Sequence, residues 1–199
     1  MTYAIVPAAG LSQRMGRPKL SLPLGNSTVL ECVITSLRNG GVDTVLVVVG
    51  PQTPELVSLA NKANALSLLL PSPTADMKET VQIGLRWLEE FHHPRSEDFW
   101  FLSPGDCPAF SSTSVGKLLD HARTSSGPGI FNPTVQGRRG HPTLFSWLHV
   151  PEIFAIPNGM GIDSFVRSQN VREVPVEDHG VLVDLDGPFE YQRFQNDPT

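Results

Sequence analysis

The chain has 199 residues, 40% of them hydrophobic and 18% charged, and its 15 Lys and Arg against 20 Asp and Glu leave a net charge of −5. That suits one folded α/β domain over 1–199, without a disorder signature, and the acidic balance argues against broad nucleic-acid binding. Two cysteines, Cys32 and Cys107, supply neither a disulfide framework nor zinc spacing, and no apolar run approaches ~18 residues, so the expectation is a reducing, cytoplasmic setting without a membrane.

Residues 3–6 read as a short buried strand that breaks into Ala8-Ala9-Gly10, residues small enough to let the backbone approach another group closely. Gly16 marks a second tight turn, and Arg14, Arg17 and Lys19 bring cations to the same loop. Convergent backbone amides with fixed positive charge suit a triphosphate. The loop is not a P-loop, because its glycine spacing and the Gly-Lys-Ser/Thr ending are missing, and no dinucleotide Gly-x-Gly-x-x-Gly occurs.

Farther along, Ser27 or Thr28 caps a predicted helix through Arg38, whose apolar residues Val29, Leu30, Val33, Ile34 and Leu37 share one face. Gly40-Gly41 ends it, and Val45-Leu46-Val47-Val48-Val49 reads as a central parallel strand buried on both faces. A helix over 53–64 and a strand over 66–70 complete an alternation that implies right-handed crossovers and a doubly wound sheet. Ligands of such sheets sit beyond the carboxyl ends of the strands, where the first loop lies.

Asp76, with Glu79 three residues on, starts a helix reaching about Phe91. His92-His93 is read as a polar helix end, since adjacent histidines do not readily share an ion from a regular helix. A strand over 99–102 leads into Pro104-Gly105-Asp106-Cys107-Pro108, where the Asp106 carboxylate is placed to grip a divalent cation. After a helix capped by Ser111 or Ser112, a strand from Ile130 turns at Gln136-Gly137 as a hairpin, followed by Arg138-Arg139-Gly140-His141-Pro142. Two short helices flank Pro157–Gly161, strands are predicted over 171–176 and 181–185, and a last helix starts with Pro188 in its first turn. Asp184 and Asp186, two apart at the end of the second of these strands, would then point the same way.

Ala8-Ala9-Gly10-x-Ser12-x-Arg14-Met15-Gly16-x-x-Lys19 resembles the signature loop of the MobA-like NTP transferase family, nucleotidyltransferases with a nucleotide-diphospho-sugar transferase fold. The compact Arg-Met-Gly-Arg-Pro-Lys run is most similar to the molybdenum-cofactor cytidylyltransferase branch. Gly105-Asp106-x-Pro108, Gly137-x-x-Gly140-His141-Pro142 and Asp184-x-Asp186-x-Pro188 match further features of the family. The resemblance implies a Rossmann-like three-layer α/β sandwich, with helices on both faces of a mostly parallel sheet.

It also implies a reaction in which CMP, from CTP in preference to GTP, passes to a phosphate-bearing small molecule such as molybdopterin, with a molybdoenzyme as protein partner. By that match Ala8, Ala9, Gly10, Arg14, Lys19 and Thr80 meet the nucleotide, and Asp106 and Asp186 hold Mg²⁺, with Asp184 second to Asp186. Arg138, Arg139 and His141 meet the acceptor, since arginine presents a fork to phosphate oxygens. Arg14, Lys19 and Asp106 would be the catalytic residues.

Lys78, Glu79 and Met160 depart from the family pattern, Met160 standing where an acidic residue is usual, with Asp163 nearby as a substitute. Two other readings stay open. Residues 5–10, Leu22-Pro23-Leu24 and Thr28-Val29-Leu30-Glu31 also resemble methylerythritol-phosphate cytidylyltransferase, a polyol-phosphate enzyme, although Ser103-Pro104-Gly105-Asp106 does not. A non-catalytic nucleotide- or cofactor-binding maturation module is the other.

Overall fold

The computed structural model describes residues 1–10 and 18–196. The chain runs through β1 (Thr2–Ala8), β2 (Pro23–Leu24), β3 (Ser27–Thr28), α1 (Val29–Asn39), β4 (Thr44–Val49), α2 (Glu55–Lys62), β5 (Leu66–Leu69) and α3 (Met77–His92). It continues with β6 (Phe99–Leu102), α4 (Ser112–Thr124), β7 (Ile130–Val135), β8 (Arg138–Arg139), β9 (Thr143–Ser146), α5 (Val150–Phe154), α6 (Ile162–Ser168), β10 (Val171–Pro175) and α7 (Pro188–Asn196). Local chemistry sets several boundaries. The Thr28 hydroxyl accepts from the Glu31 N–H while the Glu31 carboxylate accepts from the Thr28 N–H at 2.8 Å, a reciprocal cap that fixes the start of α1. Asp76 caps α3 by accepting from the Glu79 N–H at 2.8 Å.

The main sheet runs in the order β10-β7-β9-β6-β1-β4-β5, with β8 paired to β7. The pairings of β1 with β4 and β6, of β4 with β5 and of β7 with β10 are parallel, whereas β9 lies antiparallel between β6 and β7. The alternation of β1 sorts its side chains to two cores. Ala4, Val6 and Ala8 pack with α1, α2, α4 and α7, whereas Tyr3 and Ile5 pack with α3, α5 and α6. The result is the expected sandwich of a mostly parallel sheet between two helix layers. The last helix belongs to it, with Tyr191 and Phe194 buried beside Leu185.

Gln136 (φ 50°) and Gly137 (φ 76°) are both left-handed, the geometry that closes a tight hairpin between β7 and β8. His92 packs its ring against Tyr3 and Trp87, and His93 terminates α3 in a left-handed conformation, so the pair is a helix end as predicted. No described helix is long and apolar enough to cross a membrane.

The strand predicted over 181–185 does not form. A 3-10 turn, His179–Leu182, stands there, followed by extended chain. Its polar groups bond singly to separate segments rather than to one ladder. The Val181 carbonyl accepts from the His141 N–H at 2.8 Å, and the Leu185 N–H donates to the Asp106 carbonyl at 2.9 Å.

Candidate active site

Ala8, Ala9 and Gly10, at the carboxyl end of β1, form one wall of a cleft of about 490 Å³. Lys19, Thr80 and Asp106 line it from three other segments, within the size range of small-molecule sites. The sequence brings them together because parallel strands β1 and β6 both end on this edge. Lys19 Nζ donates to Asp106 Oδ2 at 2.7 Å, with the lysine side chain 11% and the aspartate 28% exposed. A cation and a carboxylate thus face the small-residue loop from one point. Arg14 lies outside the described residues. The Thr80 hydroxyl donates to the Asp76 carbonyl at 3.1 Å, which leaves the Thr74 hydroxyl as the donor in their 2.7 Å contact. Thr80 therefore presents Thr74 to the cleft as well as lining it.

Asp106 follows β6 in a turn tied to the late chain by the Leu185–Asp106 backbone bond. That bond brings the 184–186 segment to the turn, and Asp184 and Asp186 are both exposed. Asp184 Oδ1 accepts from the Cys107 thiol at 2.8 Å, so the two late carboxylates do not act alike. Burial pushes the Cys107 thiol well above its usual pKa, and the Asp184 and Asp106 carboxylates push it the same way. Asp106 lines the cleft, and its carboxylate is the hard-oxygen donor a magnesium-class ion takes, so the residue fits that role.

A second cavity of about 300 Å³ adjoins the first, sharing Met77 and Pro104 as common wall. Asn132, Arg139, His141 and Asp163 line it, whereas Arg138 does not. Arg139 pairs with Glu173 at 3.0 Å. Asp163 pairs with Arg167, so it faces the second cavity and not the first. Asn132 is 5% exposed, and its carboxamide donates to the Gly140 carbonyl at 3.0 Å and to Thr143 Oγ1 at 2.9 Å. A carbonyl can only accept, so the NH₂ group must face Gly140, and Asn132 Oδ1 has no hydrogen-bond partner among the described residues. His141 Nδ1 is likewise buried without one. Sequence reasoning missed Asn132, whose only signal was a polar residue before a proline inside an apolar strand.

The departures from the family pattern have structural uses. Lys78 is buried and donates to the Pro157 carbonyl at 2.9 Å, tying α3 to the turn that carries the exposed Met160. Glu79 accepts from the Ala75 N–H at 2.6 Å and reinforces the start of α3.

Asp178 holds the late segment to α4. It accepts from the Ser111 N–H and the Ser114 hydroxyl, each at 2.7 Å, and from the Gly180 N–H at 3.0 Å. Burial alone would raise its pKa, but these bonds outweigh burial and hold it below the usual carboxylate range. A folded-state pKa below the unfolded one gives stabilisation that is complete above the unfolded value and is lost as pH falls through the folded one. Asp178→Asn is expected to cost about 1–2 kcal/mol at neutral pH, discounted for partial exposure, with a smaller difference in acid. Urea midpoints at the two pH values check this; an equal cost at both would remove the charge from the explanation.

A family model described as MobA-like NTP transferase domain matches residues 4–174. The molybdenum cofactor cytidylyltransferase of Escherichia coli (strain K12) is 25% identical over 190 residues, covering 94% of this chain and 92% of that protein. A homologue of Mycobacterium tuberculosis Rv0371c from Mycobacterium sp. strain JC1 superposes with a TM-score of 0.81 at 25% identity, covering 98% of this chain and 95% of that one. The Rv0371c structure in complex with manganese, from M. tuberculosis H37Rv, gives a TM-score of 0.78 at 23% identity over 98% of each chain.

Proposed function

The chain belongs to the MobA-like NTP transferase family and is a nucleotidyltransferase, and we propose from that premise that it moves CMP from CTP onto the phosphate of a molybdopterin-like acceptor. The observation that carries the reading is the Lys19–Asp106 pair lining a nucleotide-sized cleft that adjoins a second cavity. Two adjoining sites suit two substrates. The preference for CTP and for a pterin acceptor takes support from the name of the E. coli relative. The unpartnered Asn132 oxygen adds support, since it suits an acceptor ring that carries N–H donors.

In this reading the acceptor's phosphate oxygen attacks the α-phosphorus of the nucleotide, the bond from that phosphorus to the α,β-bridging oxygen breaks, and pyrophosphate leaves. The nucleophile is already an anion, so the chain needs no general base. Its residues position and neutralise. The amides of Ala8, Ala9 and Gly10 approach the phosphates, Lys19 places a fixed cation on them, and Arg14 adds a second by the motif. Arg139 and His141 face the acceptor, with Arg138 on the same hairpin outside the cavity wall. Asp106, with Asp186, would hold a divalent ion such as Mg²⁺, which when bound draws charge from the phosphates and the leaving group.

The test is pyrophosphate release with Mg²⁺, using CTP and GTP separately, with and without molybdopterin. Release that requires CTP and the pterin is expected. Equal turnover with GTP would remove the base assignment. Binding of CTP without release in the presence of pterin would remove the acceptor assignment.

A further inference from the structure

Cys107, His141 and Asp184 stand in three distant parts of the sequence, yet each offers a ligand atom and these atoms lie within 4.8 Å of one another. Among the described residues no other trio of His, Cys, Asp or Glu is gathered this way. Two backbone hydrogen bonds hold them. The Leu185–Asp106 backbone bond places Asp184 beside the turn that carries Cys107. The His141 N–H donates to the Val181 carbonyl at 2.8 Å, which ties the hairpin loop to the same late segment. Gly140 and Gly180 allow that packing, since a Cβ would stand 2.3 Å from the Val181 oxygen or 2.1 Å from the Ala109 oxygen. The site's polar atoms are also incompletely used. His141 Nδ1 is buried without a hydrogen-bond partner among the described residues, and Asp184 Oδ1 accepts from the Cys107 thiol at 2.8 Å.

We propose that Cys107, His141 and Asp184 form a second metal site, separate from the hard-oxygen position at Asp106, which takes a zinc-class ion. Sulfur, imidazole and one carboxylate together match a Zn²⁺ ligand set, whereas Mg²⁺ takes hard oxygens and disfavours the sulfur and the imidazole. Three protein ligands leave one position of a tetrahedral ion for water or an incoming group. His141 lines the second cavity, so that position adjoins the acceptor's place. Binding replaces the thiol hydrogen with the ion, and the proton leaves to solvent. The ion clamps the 104–107 turn, the hairpin loop and the late segment together. The site is independent of the nucleotide chemistry and stands even if the acceptor is something other than a pterin.

The experiment titrates the metal-free protein with Co²⁺ as a spectroscopic stand-in, then displaces it with Zn²⁺. One equivalent is expected to bind with a thiolate-to-cobalt charge-transfer absorption, and Zn²⁺ is expected to abolish the band and raise Tm. Cys107→Ser should eliminate the band, Asp184→Asn should weaken binding by about 10-fold or more, and Cys32→Ser and Asp106→Asn should leave the band in place. Asp184 is exposed, so its substitution reads the site even where a change at the buried Cys107 harms folding. Absence of a thiolate band, or a band that survives Cys107→Ser or disappears with Cys32→Ser, overturns the assignment. A band lost with Asp106→Asn but kept in Asp184→Asn overturns it equally.

Discussion

Asp106→Asn is expected to lower kcat for pyrophosphate release by about 10²–10³-fold or more while leaving the fold in place, the scale on which loss of one preorganised charge-stabilising group is felt. The substitution keeps the size of the side chain and removes its charge. It therefore leaves the turn after β6 and its backbone bond to Leu185 unchanged. It also breaks the ionic half of the 2.7 Å contact to Lys19. That pair is partly open to water at the aspartate, so little stability goes with it. A fall in kcat with an unaltered melting transition is the signature of a group that acts in the reaction. Turnover within about tenfold of the native rate would remove Asp106 from that role.

The second large effect is structural. Gly140→Ala is expected to destabilise the protein by about 3 kcal/mol, the upper part of the range for forcing atoms into a packed site. A Cβ there would stand 2.3 Å from the Val181 oxygen and 2.7 Å from its carbonyl carbon, and backbone cannot rotate away as a side-chain tip can. The strain falls on the loop that carries His141 and not on the cleft at Ala8–Gly10. The KM for acceptor should therefore rise well beyond the KM for nucleotide. Gly116→Ala, in α4, is the control, because its Cβ would meet nothing nearer than 3.8 Å. It should be neutral or stabilise by up to about 1 kcal/mol from helix propensity. Equal stability of the two variants, or an equal rise in both KM values for Gly140→Ala, would refute the account.

Much of this architecture was legible because it rests on local signals. The β-branched run at Val45–Val49, the caps at Thr28 and Asp76 and the turn at Gln136-Gly137 each state their own structure within a few residues. The segment 181–185 failed for the opposite reason. Its apolar run looks like a strand, but its hydrogen bonds go one at a time to His141 and Asp106, partners that sequence spacing does not reveal. The site follows the same division. The small-residue loop, Lys19 and Asp106 carry a recognisable pattern. The gathering of Cys107, His141 and Asp184 does not, since intervals of that length match no metal-binding motif. Lys78 shows a milder version: a departure from the family pattern turns out to be a brace to the Pro157 carbonyl.

The wall formed by Met77 and Pro104 belongs to both cavities at once. In the proposed two-substrate reading, a group that presses on one side of these two residues is expected to alter the space on the other. The affinities of the two occupants are then expected to be linked, and linkage is reciprocal. Whatever factor a bound nucleotide contributes to the grip on the acceptor, the acceptor returns as the same factor to the nucleotide, and a wider or narrower side chain at Met77 changes both together.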